Sequence, residues 1–195
     1  MRLPWTGLLV VAALAAVCYA AGSPARPAAL PVMGVVPAFS LTAHSGRPLT
    51  RDGLRGTPWV AEFMFTRCAG QCPMMAEQTA ALRQALAGLP VRFVSFTVDA
   101  AHDTPEVLAA YARRYDAQPG KWDFVTGDPA AIQRLATEGF ALAAADGGTP
   151  EEPITHSVRL ALVDRQGRIR GSYDATDPHA MARLRADARR IAQGP

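Results

Sequence analysis

Cys68 and Cys72 bracket three residues in Cys68-Ala69-Gly70-Gln71-Cys72, a C-x-x-x-C pair. Two thiolates that close can exchange disulfides or hold a soft metal ion. A third cysteine, Cys18, sits in the apolar N-terminal segment, so the chain carries no multi-disulfide framework. A staple across so short a loop constrains little chain, which argues against a purely structural disulfide. His156 adds an imidazole. It shares period-2 parity with Val158, Leu160 and Leu162 and is expected to face inward. Two thiolates and one imidazole make a trigonal soft site suited to Cu(I), whereas zinc would take a fourth ligand. Asp99 closes a core strand on the same sheet edge as the cysteines. There it orients a ligand, balances charge, or simply ends the strand. Met64, Met74 and Met75 lie near the pair and serve as thioether donors or as core filling.

The elements that must position these groups follow from pattern. Trp59 to Phe65 is an apolar run, read as a buried strand. Cys72-Pro73 opens a helix to about Leu86, with Pro73 at its first position, where a missing N–H costs nothing. Helix N-terminal N–H groups and the neighbouring Arg67 are expected to favour a thiolate there. Val91–Val98 and Trp122–Thr126 read as further strands, and helices start at Thr104-Pro105 and Asp128-Pro129, the latter closing at Gly139. Gly147-Gly148-Thr149-Pro150 reads as a flexible loop before the histidine strand. That strand turns at Asp164–Gly167 into a partner from Ile169 to Tyr173, and Asp177-Pro178 begins a last helix. Phe39–Thr42 and the turn after it form an N-terminal hairpin. Strands alternating with helices make an α/β chain with a central mixed sheet flanked by helices. A cysteine pair just after the first core strand, at a helix start, is the thioredoxin-like arrangement. His44, His102 and His179 fall in turns or helix starts and are expected to be exposed.

The chain has 195 residues, 49% of them hydrophobic and 19% charged, which excludes a disordered chain and a multi-span membrane protein. Its net charge is only +3. Lys121 is the sole lysine, and the arginines form no stripe of the kind that binds nucleic acid. Arg183, Arg185, Arg189 and Arg190 crowd the last helix, as a solvated face or as a contact for anionic lipid or an acidic partner. Residues 1–22 begin with Arg2 and continue without charge, as a cleaved signal peptide or a retained membrane anchor does. Lipidation at Cys18 is a third reading. All three place the remainder outside the cytoplasm. Residues 23–32 form a Pro/Ala linker, and residues 33–195 the folded domain.

Phe63-Met64-Phe65-Thr66-Arg67-Cys68-Ala69-Gly70-Gln71-Cys72-Pro73 resembles the signature of the Sco/SenC copper chaperones. Val98-Asp99 with Asp103-Thr104-Pro105, and Thr155-His156-Ser157 with Asp164-Arg165-Gln166-Gly167-Arg168, resemble that family's later segments, in the same order. The resemblance covers about residues 35–193. It implies a thioredoxin-like fold and copper, as Cu(I) and also Cu(II), held by Cys68, Cys72 and His156. It also implies delivery to the CuA site of a cytochrome c oxidase subunit from the bacterial periplasm. Other periplasmic copper chaperones and thiol reductants are further partners. The family usually has His at position 67, Pro at 69 and Pro at 100, where this chain has Arg67, Ala69 and Ala100. These departures touch the spacer and flanks, not the ligands. The competing reading is a thiol-disulfide oxidoreductase acting on client cysteines through the same pair. His156 separates the two, since exchange chemistry does not need it. A thiol peroxidase is a weaker third reading, because nothing beyond the pair marks a peroxide site.

Overall fold

The computed structural model describes residues 29–141, 145–146, 154–155 and 158–194. The chain enters through a two-residue strand, β1 (Gly34–Val35), and a hairpin of β2 (Ser40–Ala43) and β3 (Pro48–Thr50). A short helix follows, α1 (Arg51–Leu54). Then β4 (Trp59–Met64), α2 (Gln71–Ala85), β5 (Arg92–Thr97), α3 (Pro105–Arg114) and β6 (Trp122–Thr126) alternate. Next comes α4 (Pro129–Arg134), which runs on into a π turn (Leu135–Gly139). A two-stranded ribbon, β7 (Ala145–Asp146) with β8 (Ile154–Thr155), precedes the hairpin of β9 (Arg159–Val163) and β10 (Arg168–Asp174). The last helix is α5 (Pro178–Gln193).

Eight strands make one mixed sheet in the order β1-β10-β9-β4-β5-β6-β2-β3. β4, β5 and β6 are parallel; β9 pairs with β4, and β2 with β6, antiparallel. This is the mixed sheet with flanking helices that the sequence predicts. Every residue of β4 and β6 is buried, because both faces of the sheet are covered. One face packs α2, α3 and α5 through residues such as Met75, Leu108 and Leu184. The other packs α1, α4 and the π turn through Leu54, Ile132 and Leu135. Along β4, Val60 and Met64 enter the first core, and Trp59, Ala61 and Phe63 the second.

Local chemistry accounts for the helix starts. Thr104, Asp128 and Asp177 each accept a hydrogen bond from a first-turn N–H, and each precedes a proline that needs no partner. The start of α2 differs from the expectation. Gly70 is the cap, Gln71 is the first helical residue and Pro73 is the third. A proline is still free of cost there, since the first-turn N–H groups have no intrahelical acceptor. His44 also differs. It is buried, not exposed, and its Nδ1 accepts from the Phe124 N–H at 3.1 Å. Burial lowers its pKa below the usual histidine value. β1 and the β7–β8 ribbon were not predicted, since two-residue strands leave no periodicity to read. Within the segment read as linker, Arg170 donates to the Pro31 carbonyl at 3.0 Å and to the Leu30 carbonyl. Residues 1–22, Cys18 and the Gly147–Pro150 loop lie outside the described residues. Among the described residues no helix is long and apolar enough to cross a membrane.

Candidate metal centre

β4 ends at Met64, and the chain turns through Phe65-Thr66-Arg67 to Cys68. Cys72 is the second residue of α2. The Cys72 N–H, one of the donors that a helix start leaves without an intrahelical acceptor, donates to Cys68 Sγ at 3.3 Å. That hydrogen bond holds the two thiols on one edge of the sheet, beyond the C-terminal ends of parallel strands, where open α/β sheets place their sites. Both cysteines are thiols, with 6% and 1% of their surface exposed. Ala69, Gly70 and Gln71 form an exposed arch over them.

Burial pushes the Cys72 thiol well above its ordinary pKa, and the charges of Cys68 and Glu62 push it the same way. The expectation that the helix start and Arg67 favour a thiolate therefore does not hold for Cys72 in the metal-free protein. Desolvation outweighs the helix N-terminus. The Arg67 charge is also committed elsewhere. Its guanidinium donates to Asp99 Oδ2 from Nε at 3.1 Å and from Nη2 at 2.6 Å. Asp99 is 8% exposed and lies just past β5, at the cysteine edge. It thus balances the cation next to Cys68.

Asp103 is a further residue of this edge, read from the sequence only as part of a helix start. It is wholly buried. One carboxylate oxygen accepts from the Thr66 N–H at 3.1 Å, the other from the Thr66 hydroxyl at 2.5 Å, and the Thr97 hydroxyl adds a third bond. His102 Nδ1 lies 3.0 Å from the same carboxylate. Asp103 therefore ties the loop before the cysteines to β5. Met64 and Met75 are 2% and 0% exposed and fill the core, while Met74 packs against it.

Glu62 is the residue that pattern reading missed. It is the one charge in the apolar run from Trp59 to Phe65, and that was its signal. It is 2% exposed, at the middle of the sheet. The Ser95 hydroxyl donates to one oxygen at 2.5 Å and the Thr79 hydroxyl to the other at 2.8 Å. Trp122 Nε1 in turn donates to Ser95 at 2.8 Å. Burial raises the Glu62 pKa to about 7 despite both hydroxyls, which lower it.

His156 lies outside the described residues. The strand that follows it in sequence is described. β9 is antiparallel to β4, with Val163 opposite Trp59, so it starts at the end of the sheet where β4 delivers the cysteines. Leu160 and Leu162 share the core that contains Cys68 and Cys72, and Val158 packs against it. Ala161 and Val163 belong to the opposite core. Val158, Leu160 and Leu162 thus share the face that carries the cysteines, and the strand itself begins at Arg159, later than the sequence suggests. The two thiols in place suit a soft ion and leave its remaining ligand to come from elsewhere.

The SCO1/SenC family model matches residues 29–192. The chain belongs to the SCO1/SenC family. The SCO1 protein homolog of Bacillus subtilis (strain 168) is 29% identical over 143 residues, covering 71% of this chain and 73% of that protein. Among solved structures, a SCO1/SenC family lipoprotein from Bacillus anthracis str. Ames superposes with a TM-score of 0.77 at 27% identity, over 85% of this chain and 100% of that one. BsSco superposes with a TM-score of 0.75 at 25% identity, over 86% and 100%. It is described as a member of the Sco family of cytochrome c oxidase assembly proteins and as containing a disulfide switch. ScoI of Bradyrhizobium japonicum, solved with copper bound, has a TM-score of 0.69 at 24% identity, over 80% and 99%, and speaks to the fold. The thioredoxin-like fold expected from the cysteine placement is the fold of this family.

Proposed function

We propose that this SCO1/SenC protein is a copper chaperone that accepts Cu(I) on Cys68 and Cys72, with His156 as third ligand. The observation that carries the reading is the pair itself. Two buried thiols are joined by the Cys72 N–H to Cys68 Sγ hydrogen bond at the edge of the sheet where β9 begins. Thiolates and imidazole are the donors that soft Cu(I) prefers. The assembly role stated for BsSco supports the same assignment. The recipient is then the oxidase subunit that carries the CuA site. A three-ligand site suits this task, since an incoming donor can add before a bound one leaves. The N-terminal segment, uncharged from Leu3 to Gly22, and the lipoprotein relative support attachment outside the cytoplasm, and the compartment in this reading is the periplasm.

The second reading, a thiol-disulfide oxidoreductase, draws on the same pair and on the disulfide switch described for BsSco. An anaerobic Cu(I) titration of the reduced protein separates the two. The chaperone reading expects one copper per chain, with two sulfur donors and one nitrogen donor by X-ray absorption. It expects Cys68→Ala and Cys72→Ala to abolish tight binding and His156→Ala to weaken it. Full affinity and unchanged coordination in His156→Ala would remove the third ligand. Disulfide exchange with no copper uptake would leave the oxidoreductase.

A further inference from the structure

β4, β5 and β6 run parallel, and α2, α3 and α4 return from their ends, so the helix C-termini gather at the end of the sheet away from the cysteines. Cations mark that end. Arg83, Arg113, Arg114 and Arg134 stand in the last turns of their helices. Arg92 opens β5, and Lys121, the sole lysine, precedes β6. The cysteine end has the opposite sign. Glu106, Asp128 and Asp177 lie at helix starts there, and Asp174 closes β10. Acids at helix starts and bases at helix ends suit the macrodipoles, and they also give the domain two charged poles. The basic pole is indented. A cleft of about 750 Å³ opens there, walled by the end of α2, the link from Leu86 to Val91 and the starts of β5 and β6, with Arg83, Arg92 and Lys121 along it. Asp123 is buried and engages Arg92 at 3.1 Å, while Asp116 is 82% exposed and reaches Arg83 only at 3.8 Å. Arg83 and Arg92 each keep a buried Nε with no hydrogen-bond acceptor among the described residues, so these carboxylates do not exhaust the guanidinium groups. Lys121 is exposed and forms no ion pair among the described residues. Helix-end carbonyls would repel an anion, but those of α2 are occupied. The Leu82 and Gln84 carbonyls accept from the Leu86 and Ala87 N–H groups, and that of Ala85 accepts from the exposed Arg189 at 2.8 Å. Arg189 thereby adds a cation beside the cleft.

We propose that this basic pole is the face with which the domain docks on an anionic bilayer, with lipid phosphate groups entering the cleft between Arg83, Arg92 and Lys121. Guanidinium and ammonium groups form charge-assisted hydrogen bonds to phosphate. The exposed Arg113, Arg114 and Arg189 spread positive charge over a surface rather than around a single ion, which favours a bilayer over a free anion. The same bilayer repels the acidic pole, so the cysteine edge points away from it, towards partners in solution. The chain can reach. Leu30, which packs against the helix-side core, lies eight positions after Gly22, where the charge-free segment ends. Eight residues extend up to about 28 Å. That exceeds the length of a six-residue strand, about 20 Å. A charge-free segment held in the bilayer can thus lie beneath the far end of the sheet. The inference does not depend on the reading of the cysteines as copper ligands.

The test uses Lys121 as its own reporter. The full chain is reconstituted into vesicles of phosphatidylcholine, alone or mixed with phosphatidylglycerol, and acylation of Lys121 by an amine reagent is followed by peptide mass spectrometry. Phosphatidylglycerol is expected to slow the acylation about fivefold or more, since each basic residue near an anionic surface multiplies association by about that factor. Raising the salt to about 1 M, where the Debye length falls to about 3 Å, should restore the rate. Arg113→Glu combined with Arg189→Glu reverses two exposed charges and should abolish the protection. If that variant does not fold, the lipid and salt comparisons on the native protein decide alone. Equal acylation with and without phosphatidylglycerol would overturn the proposal. Equal protection by inorganic phosphate in phosphatidylcholine vesicles would also overturn it, and would make the cleft a site for a small anion.

Discussion

The Asp103 carboxylate accepts the Thr66 main-chain N–H at 3.1 Å, and that bond joins the connection between β5 and α3 to the loop that carries Cys68. The loop has no regular structure from Phe65 to Gly70, so its path depends on such ties. Asp103 is wholly buried and serves Thr66 twice and Thr97 once. Replacing it with Ala leaves an amide N–H and two hydroxyls short of an acceptor.

Asp103→Ala is therefore expected to lose about 2–4 kcal/mol of stability, since a hydrogen bond to a charged group is worth about 1.5–3 kcal/mol and its orphaned partners add to the loss. Asp103→Asn keeps one acceptor and should lose less. Urea unfolding of the reduced, metal-free protein measures both. An Asp103→Ala midpoint equal to that of the native protein would show that the loop does not depend on this tie.

The Arg67–Asp99 pair makes a second, smaller prediction. Arg67 is 53% exposed and Asp99 only 8%, so the contact is partly screened on one side. Arg67→Ala should cost about 1 kcal/mol, and Arg67→Lys nearly as much, because lysine cannot reproduce the two donors on one oxygen. A double-mutant cycle with Asp99→Ala isolates the coupling. A coupling energy of zero would reduce Asp99 to a strand-end residue.

Much of this arrangement was legible in the sequence. The apolar run from Trp59 to Phe65 announced a strand buried on both faces, and Thr104-Pro105, Asp128-Pro129 and Asp177-Pro178 announced helix starts that the structure places at those caps. The cysteine spacing marked the candidate site because it is local. What stayed hidden is long-range. Asp103 looks like a helix-start residue until β5 and the cysteine loop are packed together, 37 residues from Thr66 to its acceptor. The burial of His44 depends on β6, 80 residues away, offering the Phe124 N–H. Arg67 looks like a free charge beside a cysteine until Asp99 arrives from the next strand. Periodicity reports which face a residue takes, not which group it meets there.

The pH dependence of stability follows from Glu62. Its pKa is raised to about 7 in the folded protein, against 4.5 for an ordinary glutamate. The fold thus favours the protonated form. Below pH 4.5 the carboxyl is neutral in both states and costs nothing extra. Between pH 4.5 and 7 the unfolded chain ionises first, so stability falls as pH rises, and above 7 the penalty is complete. A shift of this size corresponds to the order of 3 kcal/mol. Asp164 and Asp174 are lowered, so their contributions are lost only as pH falls, outside this window. Glu62→Gln should flatten the decline between pH 4.5 and 7 in chemical unfolding of the reduced protein. A native profile that is already flat there would mean that the buried carboxyl is stabilised by something the hydroxyls do not supply.

The last prediction joins copper to stability and redox state. A ligand that binds only the folded protein stabilises it by about 4 kcal/mol at a thousandfold excess over Kd. For a domain of this size that corresponds to a rise in Tm of about 8–16 °C. The rise requires thiols. A disulfide between Cys68 and Cys72 removes both thiolate donors, so Cu(I) should leave the Tm of the oxidised protein unchanged, and reduction should restore the effect. The variants divide the contributions. Cys68→Ala and Cys72→Ala should show no copper-dependent shift, because one thiolate and one imidazole are too few soft donors. His156→Ala should show a reduced one, because two thiolates still bind Cu(I) with two coordinates. Scanning calorimetry of reduced, oxidised and variant protein, with and without Cu(I), reads all of this. Equal stabilisation of the oxidised and reduced forms would move the copper away from the cysteine pair.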